Sequence, residues 1–275
     1  MQTIDAHEMR MPKLGLGTYR LKGEECAGAV EGALGLGYRH IDTAEMYDNE
    51  EAVGRGIAAS GVARGDIFLT TKVWWQHLAG DDMQRAIEAS LKRLETEYVD
   101  LYLIHWPAPE MDLGDAMQKL VALKEQGLAR SIGVANFPSA LLKRAVGEIG
   151  APIACNQFEY HVLLGQDRMV EGARGVGAAS VAYCPLAQGK LAEQPALAEI
   201  GQKHGVSAAQ VALKWLLDQD GVAAIPKAGR RESQQANLDA LKVTLDDADR
   251  AAIAALPKDQ RCVNPGFAPA WDAVG

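Results

Sequence analysis

Four polar side chains lie where apolar, strand-like segments end, and their types suit proton transfer to a carbonyl oxygen. They are Asp42 and Tyr47 in "HIDTAEMYDNE" (40–50), Lys72 in "IFLTTKVWW" (67–75) and His105 in "VDLYLIHW" (99–106). Lys72 is the only charge in its apolar segment, and a buried ammonium needs a partner such as Asp42. A charged Lys72 near the phenol lowers the pKa of Tyr47, while His105 offers a ring N–H to a substrate oxygen. The pattern predicts a general acid, Tyr47, beside a group that orients the carbonyl.

Each of these residues also has a purely structural interpretation. Lys72 and Asp42 alone could equally form a structural ion pair. His105, between an apolar strand and a loop that contains proline, has the context of a satisfied core histidine, and Tyr47 that of an ordinary aromatic residue. The occurrence of all four at the ends of neighbouring strands favours the chemical interpretation.

Eight short apolar or β-branched segments recur along the chain, separated mostly by stretches of helical periodicity. The segments are 14–19, 38–44, 67–73, 99–106, 131–136, 153–160, 179–186 and 222–228. Two clear helical stretches are 81–95 and 207–219, with Asp81 and Ser207 at the expected N-cap positions. Eight strands alternating with helices in about 250 residues predict a parallel (β/α)8 TIM barrel, forming one domain over residues 1–275.

A doubly wound open sheet is the alternative architecture. If such a sheet binds a dinucleotide, it needs a G-x-G-x-x-G turn after its first strand, and "GLGTYRLKG" (15–23) does not fit that spacing. The strand count and the missing motif favour the barrel. Barrel active sites lie at the C-terminal ends of the strands, so the polar residues there are the functional candidates.

Composition and charge exclude several classes of function. The formal net charge of −8 argues against nucleic acid, which needs a basic face, and requires a local positive cluster for any anionic ligand. The four cysteines lie far apart without C-x-x-C spacing, which predicts reduced thiols rather than disulfides or zinc ligands. The apolar runs are too short for a membrane span, and no signal peptide is evident, so we expect a cytoplasmic protein.

The sequence closely resembles the aldo-keto reductase superfamily, in particular its bacterial 2,5-diketo-D-gluconate reductase-like branch. The motifs that carry the resemblance are "GYRHIDTAEMYDNEEAVG", "TTKVW", "VDLYLIHWP", "IGVANF", "NQFEYH", "AYCPL" and "IPKA". The resemblance covers nearly the whole chain. It implies a (β/α)8 barrel that binds NADPH without a Rossmann fold and without a metal. It also implies that hydride passes to an aldehyde or ketone carbon while Tyr47 donates the proton, tuned by Lys72 and Asp42, and His105 orients the carbonyl.

The resemblance also implies the residues that hold the cofactor. Tyr183 would stack on the nicotinamide, and Asn136 and Gln157 would bind its carboxamide, which suits amides that both donate and accept hydrogen bonds. Asn136 has a simpler alternative as the cap of a helix that begins near Pro138. The remaining residues predicted to bind the cofactor are Thr18, Leu186, Lys227, Arg230 and Asn237.

The segment "IPKAGRRESQQANLD" (225–239) is the best positive cluster in this acidic chain. Its basic residues lie near the start of a helix, where a phosphate binds well, although a solvated loop is the simpler interpretation. The resemblance implies that Lys227 binds the adenosine 2′-phosphate and Asn237 contacts the adenine. This chain departs from the family pattern at Ala135, Ala228, Ser233 and Ala236, and Arg230 and Arg231 can compensate. We expect NADPH to be preferred over NADH by a smaller margin than is usual in the family.

Aromatic residues follow the same strand ends and predict the wall of a substrate pocket. The predicted substrate-binding residues are Tyr19, Trp74, Trp106 and His105, with Trp271 nearby in the C-terminal tail. Because neighbours on a strand face opposite ways, one residue of the Trp74–Trp75 pair is expected to pack in the core. The loop after Trp106 and the tail are both short, which suggests an open cleft for small aldehydes, keto-sugar acids or dicarbonyls such as methylglyoxal.

Two other functions are compatible with the sequence. A Schiff-base aldolase could use Lys72 as its nucleophile, but a carboxylate partner keeps that lysine protonated. A non-enzymatic NADPH-binding regulatory subunit is disfavoured by the intact set of four residues and by the lack of an obvious partner-binding segment. The absence of an exposed heptad pattern makes a monomer the expected state.

Overall fold

The computed structural model describes residues 2–274 and contains a curled sheet of eight parallel strands. Its strands are β3 (Leu16–Gly17), β4 (His40–Asp42), β5 (Phe68–Val73), β6 (Val99–Ile104), β7 (Ala129–Ala135), β8 (Ile153–Glu159), β9 (Ala179–Tyr183) and β10 (Val222–Ala224). Each strand pairs with the next in chain order. Parallel bridges from Leu14 to Ala224 and from Gly17 to Lys227 join the first strand to the last and complete the barrel. All eight predicted strands and the predicted fold class are confirmed.

The closure of the barrel depends on a glycine. A Cβ atom at position 17 would lie 2.5 Å from the backbone oxygen of Ile225, so only glycine allows this approach between the first strand and the chain after β10. The contact brings Lys227 beside the first strand.

Helices follow most of the strands and cover the outside of the barrel. They are α1 (Gly23–Leu36), α2 (Glu50–Ala59), α3 (Asp82–Leu94), α4 (Leu113–Glu125), α5 (Ser139–Lys143), α6 (Asp167–Gly175), α7 (Pro195–His204), α8 (Ala208–Leu217), α9 (Arg231–Asp239) and α10 (Asp247–Ala254). Ser207 caps α8 through a capping box with Gln210, as predicted. Asp81 occupies the N-cap position of α3, but its side chain makes no capping hydrogen bond.

An N-terminal hairpin, not predicted from the sequence, closes the end of the barrel at which the parallel strands begin. Its strands are β1 (Thr3–Ala6) and β2 (Met9–Pro12), paired antiparallel. Ile4, Met9 and Met11 are buried against residues of the barrel interior, including Leu103 and Val181. Burial alternates along β1 and from Met9 to Met11 of β2, which is the period of a half-buried strand. The barrel interior is therefore closed at the hairpin end, and it can be reached only from the C-terminal ends of the strands.

The C-terminal tail lies across that other end and is fixed at two points. Glu159, the last residue of β8, accepts hydrogen bonds from the backbone N–H of Cys262 at 2.6 Å and of Val263 at 2.8 Å. Further along, the Asp272 carboxylate accepts the backbone N–H of Ser139 at 2.8 Å and its hydroxyl at 2.5 Å. The residues between these anchors are thereby held against the strand ends.

Two further predictions concern the thiols and the helices. All four cysteines are free, as expected. Within residues 2–274, no helix combines the length and the apolar character that crossing a membrane requires.

Candidate active site

Asp42 and Lys72 form a buried ion pair at the C-terminal ends of β4 and β5. Lys72 Nζ lies 2.5 Å from Asp42 Oδ1 and donates a second hydrogen bond, 2.8 Å long, to the backbone oxygen of Thr43. The Lys72 and Asp42 side chains are 0% and 1% exposed. Burial lowers the pKa of Lys72, and the adjacent Asp42 carboxylate opposes that effect.

Asp42 is also bound by residues of two other strands. Its Oδ2 accepts a hydrogen bond of 2.8 Å from Gln157 Nε2 on β8, across the barrel. Its backbone oxygen accepts both the N–H and the hydroxyl of Thr18, which follows β3. Gln157 thus holds the Asp42 carboxylate and Thr18 holds the Asp42 backbone, so these two predicted cofactor residues adjoin the predicted catalytic pair.

Tyr47 lies directly over this pair, in the 3-10 turn Glu45–Tyr47 that follows β4. The centroid of its ring is 5.1 Å from Lys72 Nζ and 5.0 Å from the centroid of the Tyr19 ring. Burial, and secondarily the Asp42 carboxylate, raise the pKa of Tyr47 well above its ordinary value. The pKa of Tyr47 was expected to be lowered by Lys72, and this net direction is wrong, because desolvation and the Asp42 carboxylate outweigh the ammonium charge. The phenol therefore keeps its proton at neutral pH.

His105 follows β6 and stands edge-on to Tyr47, with ring centroids 5.5 Å apart. Burial and then the Lys72 charge lower the pKa of His105 well below its ordinary value, so the ring is neutral. Its Nδ1 is buried without a hydrogen-bond partner among residues 2–274. A neutral imidazole carries one N–H, and an unpartnered Nδ1 is less costly as a bare lone pair than as a donor. The tautomer with the proton on Nε2 is therefore favoured.

Asn136 and Tyr183 form a second hydrogen-bonded group at the rim. Asn136 Nδ2 donates to the backbone oxygen of His105 at 3.0 Å, and Tyr183 Oη donates to Asn136 Oδ1 at 2.8 Å. Asn136 adopts the left-handed conformation, with φ at 62°. The N-cap position of α5 is occupied by Pro138, so the alternative in which Asn136 caps that helix is wrong. The strained conformation instead directs the amide towards His105 and Tyr183.

The predicted phosphate-binding segment lies where β10 leads into α9. Lys227 and Arg230 are exposed, and no side chain caps the N-terminus of α9. Asn237 lies on α9 but is buried beside Tyr38, and Leu186 is half-buried just before the turn Ala187–Glu193. The segment thus presents cations and free backbone N–H groups at one position.

An aromatic wall borders the four residues; we define it as Trp74, Trp75, Trp106, Phe267 and Trp271. Trp74 lies 5.3 Å from the His105 ring, and Phe267 of the tail lies 5.5 Å from both Trp74 and Trp106. Trp271 packs 5.9 Å from Trp106. The expectation that Trp74 or Trp75 enters the core is wrong, because β5 ends at Val73 and both indoles are half-buried against Phe267.

Comparison with known proteins identifies the family. The model of the aldo/keto reductase family matches residues 13–258. The chain belongs to the aldo/keto reductase family. A methylglyoxal reductase, DkgB, of Salmonella typhi is 44% identical over 268 residues, which cover 96% of this chain and all of the relative. An aldo-keto reductase of Mycolicibacterium smegmatis is 41% identical over 252 residues, 91% of each chain.

Two solved structures extend the comparison. A protein provisionally named 2,5-diketo-D-gluconic acid reductase B has a TM-score of 0.96 at 38% identity, covering 99% of this chain and 98% of that one. A Bombyx mori aldo-keto reductase in complex with NADP has a TM-score of 0.89 at 32% identity, covering 96% and 95%. Aldo-keto reductases use NADP(H), and this chain is an oxidoreductase that shares their fold.

Three residues of this aldo-keto reductase near the site were not predicted from the sequence. Phe267 joins the aromatic wall, and Arg261 lies over the Trp271 ring. Glu45 accepts hydrogen bonds from the backbone N–H of Trp74 and from His77 Nδ1. The tail sequence "NPGFAPAW" was the available signal for Phe267, whereas nothing local marks the partners of Glu45, which are about 30 residues away in the chain.

Glu159, His161 and Cys262 form a cluster whose spacing suits a metal ion, with ligand atoms within 4.8 Å of one another. These atoms are already used within the protein. Glu159 accepts the backbone N–H groups of the tail, and His161 accepts the N–H of Leu163 at Nδ1, so its Nε2 carries the proton and donates to Glu159. The cluster holds the tail in place.

Proposed function

We propose that this chain is an NADPH-dependent carbonyl reductase that transfers hydride to small aldehydes, keto-sugar acids or dicarbonyls. The observation that carries the proposal is the arrangement of a protonated Tyr47 and a neutral His105, with ring centroids 5.5 Å apart, over the buried Lys72–Asp42 pair. The names of the relatives, methylglyoxal reductase and 2,5-diketo-D-gluconic acid reductase, support this substrate range.

Tyr47 is the proton donor in this mechanism. Its raised pKa keeps Oη protonated, and the alkoxide that forms at the carbonyl oxygen is a far stronger base than a phenolate, so the proton moves to the substrate. Lys72 stabilises the phenolate that remains, since its ammonium lies 5.1 Å from the ring centroid. Asp42 holds that ammonium in place.

His105 orients the carbonyl. With Nδ1 unpartnered, its N–H on Nε2 can donate to the substrate oxygen that Tyr47 protonates. Asn136 holds the backbone oxygen of His105, and the ring itself packs edge-on against Tyr47 and Trp74. Aromatic side chains border this position: Trp74 lies 5.3 Å from the His105 ring, Tyr19 lies 5.0 Å from the Tyr47 ring, and Trp106 follows His105 in the chain.

The residues present fit NADPH, which supplies the hydride when bound. Lys227 and Arg230 would hold the 2′-phosphate at the uncapped N-terminus of α9, and Asn237 on the same helix would contact the adenine. Tyr183, fixed by Asn136, would offer its ring face to the nicotinamide. Gln157 already donates from Nε2 to Asp42, so its amide oxygen would accept a hydrogen bond from the nicotinamide carboxamide. Thr18 and Leu186 would complete the cleft between these groups.

NADPH is expected to be preferred over NADH by a reduced margin. Ala228 and Ser233 offer fewer phosphate ligands than the family pattern, while Arg230 and Arg231 lie at the start of α9. Steady-state kinetics with both cofactors test this, since the ratio of their kcat/KM values should favour NADPH. A clear preference for NADH would overturn it.

The proposed function is tested by following NADPH consumption with methylglyoxal, 2,5-diketo-D-gluconate and a panel of simple aldehydes. Turnover with at least one class supports the reductase. Tight NADPH binding without turnover of any carbonyl would instead support the regulatory-subunit alternative.

Borohydride trapping tests the aldolase alternative, which is disfavoured because Lys72 is fully buried and already bonded to Asp42 and Thr43. We also propose that the chain is a single domain, that it acts in the cytoplasm and that it is a monomer. Size-exclusion chromatography can test the monomeric state.

A further inference from the structure

Arg261 is a cation at the rim of the barrel whose hydrogen-bonding capacity is not fully used. Its guanidinium carbon lies 4.0 Å from the centroid of the Trp271 ring, so the group is stacked on that indole. Its Nη1 is buried and has no hydrogen-bond partner within the described part of the chain. Glu159 is the nearby carboxylate, but it already accepts the two tail N–H groups and His161.

The position of Arg261 connects it to the proposed substrate site. Trp271, on which it stacks, packs on Trp106, and Trp106 directly follows His105. Arg261 also lies within electrostatic range of Tyr183, the residue bonded to Asn136. The two anchors of the tail, Glu159 and Asp272, hold this segment at the mouth of the barrel.

An unpaired guanidinium N–H removed from water is costly, so its presence calls for a physical reason. Stacking on Trp271 fixes the planar group before any ligand arrives, and its donors match the geometry of a carboxylate. The chain carries a net charge of −8, so an anionic substrate needs such a local cation. Lys72 cannot serve, because it is fully buried and its charge is paired with the Asp42 carboxylate.

We propose that Arg261 binds the carboxylate of the substrate, and that this enzyme therefore prefers carbonyl compounds that carry an acid group, such as keto acids, over neutral ones. The inference rests on the proposed reductase function. It assigns the charge selectivity to one residue of the tail, separate from Tyr47 and His105, which act on the carbonyl itself.

The test compares 4-carboxybenzaldehyde with its methyl ester, two aldehydes that differ only in charge. In Arg261→Met, we expect kcat/KM for the acid to fall roughly tenfold or more, the range lost with a charge-assisted hydrogen bond, while the ester changes less than about twofold. Arg261→Gln should behave like Arg261→Met, and Arg261→Lys should keep part of the preference because it keeps the charge. Activity on the ester reports that each variant is folded.

Arg20 provides the matched control. Like Arg261, it is an arginine that stacks on an aromatic ring near the site, with its guanidinium carbon 5.3 Å from the centroid of the Tyr19 ring. Arg20→Met should leave the preference for the acid unchanged. The proposal is overturned if acid and ester fall together in Arg261→Met, or if the preference is lost in Arg20→Met instead.

A binding measurement separates this inference from the proposed function. Titration of 4-carboxybenzaldehyde into the protein saturated with NADP⁺, followed by tryptophan fluorescence, requires no turnover. If wild type reduces no aldehyde but binds the acid roughly tenfold more tightly than Arg261→Met does, the proposed function fails and the carboxylate site stands. If wild type reduces the ester and both proteins bind the acid equally, the reductase stands and the carboxylate site fails.

Discussion

His40 lies at the N-terminal end of β4 and His105 follows the C-terminal end of β6, and both rings are buried. His40 has a partner for each nitrogen: the backbone oxygen of Pro12 at 3.4 Å and Thr70 Oγ1 at 3.2 Å. The Nδ1 of His105 has none within residues 2–274. The first ring is enclosed by the hairpin end of the barrel, and the second stands beside Tyr47 and Trp74.

The same contrast holds for the two ends as a whole. At the hairpin end, apolar side chains such as Met11 fill the barrel. Five buried polar side-chain atoms lack a partner within residues 2–274: those of Trp75, His105 and Arg261 lie at the opposite rim, whereas those of Tyr102, within β6, and Gln234, on α9, do not. Unsatisfied groups reduce stability, so their concentration at one end indicates that this end is arranged for ligands and the other for folding.

Tyr47→Phe is expected to have the largest effect on activity. Removal of the proton donor should lower kcat by about a thousandfold, within the range of general acid catalysis. The change deletes one oxygen and leaves the ring packed against Tyr19 and His105, so NADPH binding should be nearly unchanged. Stopped-flow hydride transfer and NADPH fluorescence titration measure the two quantities. Wild-type kcat in this variant would remove Tyr47 from the mechanism.

Met11→Ala tests the other side of the comparison. Met11 is fully buried in the core of the hairpin end. Its truncation should cost about 2–5 kcal/mol of unfolding free energy, as for other large-to-small core changes. Since the site lies at the opposite rim, kcat and KM of the folded fraction should remain close to wild type. Urea unfolding and steady-state kinetics measure both, and a selective loss of kcat would show that the two ends are not separate.

The pH dependence of stability should follow His40, whose pKa burial lowers to about 4. Because this folded-state pKa lies below the unfolded value, the unfolded chain binds the extra proton first as the pH falls. The stabilisation is complete above the ordinary histidine pKa of 6.5 and is lost progressively between there and about 4. We expect His40 to account for roughly 1–2 kcal/mol of lost stability at about pH 5.

Urea unfolding of wild type and His40→Asn at neutral and acidic pH measures this contribution. The variant should be less stable at neutral pH but should lose less on acidification. His105, whose pKa is also lowered, acts in the same direction, so His105→Asn is the matched variant at the other end. An unchanged pH dependence in His40→Asn would mean that its ring does not set the acid sensitivity.

The sequence predicted the barrel well because the barrel depends on local patterns. Apolar strands, helical periodicity and polar strand ends are all readable within short segments, which is why the positions of Asp42, Tyr47, Lys72 and His105 followed from them. The hairpin was missed because eight residues of alternating burial carry a weak signal. The pKa of Tyr47 was predicted in the wrong direction, since it depends on the balance of burial and charge in three dimensions.

Contacts between segments far apart in the chain could likewise not be predicted from the sequence, and those of Glu45 are the clearest example. Its carboxylate joins the turn that carries Tyr47 to the loop that carries Trp74, through the Trp74 backbone N–H and His77 Nδ1 at 3.1 Å. The residue is a candidate for positioning the aromatic wall relative to the proton donor. The sequence marks it only as an acidic residue between Asp42 and Tyr47.

Glu45→Ala should produce the smallest effect of the series. Loss of the anchor loosens the Trp74 loop but leaves Tyr47 and His105 intact, so KM for a carbonyl substrate should rise about threefold, the scale of one ordinary hydrogen bond, with little change in kcat. Glu45→Gln keeps an acceptor oxygen for the Trp74 N–H and should restore most of the wild-type KM. Steady-state kinetics on both variants decide the matter. If kcat falls by as large a factor as KM rises, Glu45 acts on Tyr47 itself. The aromatic wall and the proton donor would then not be independent of each other.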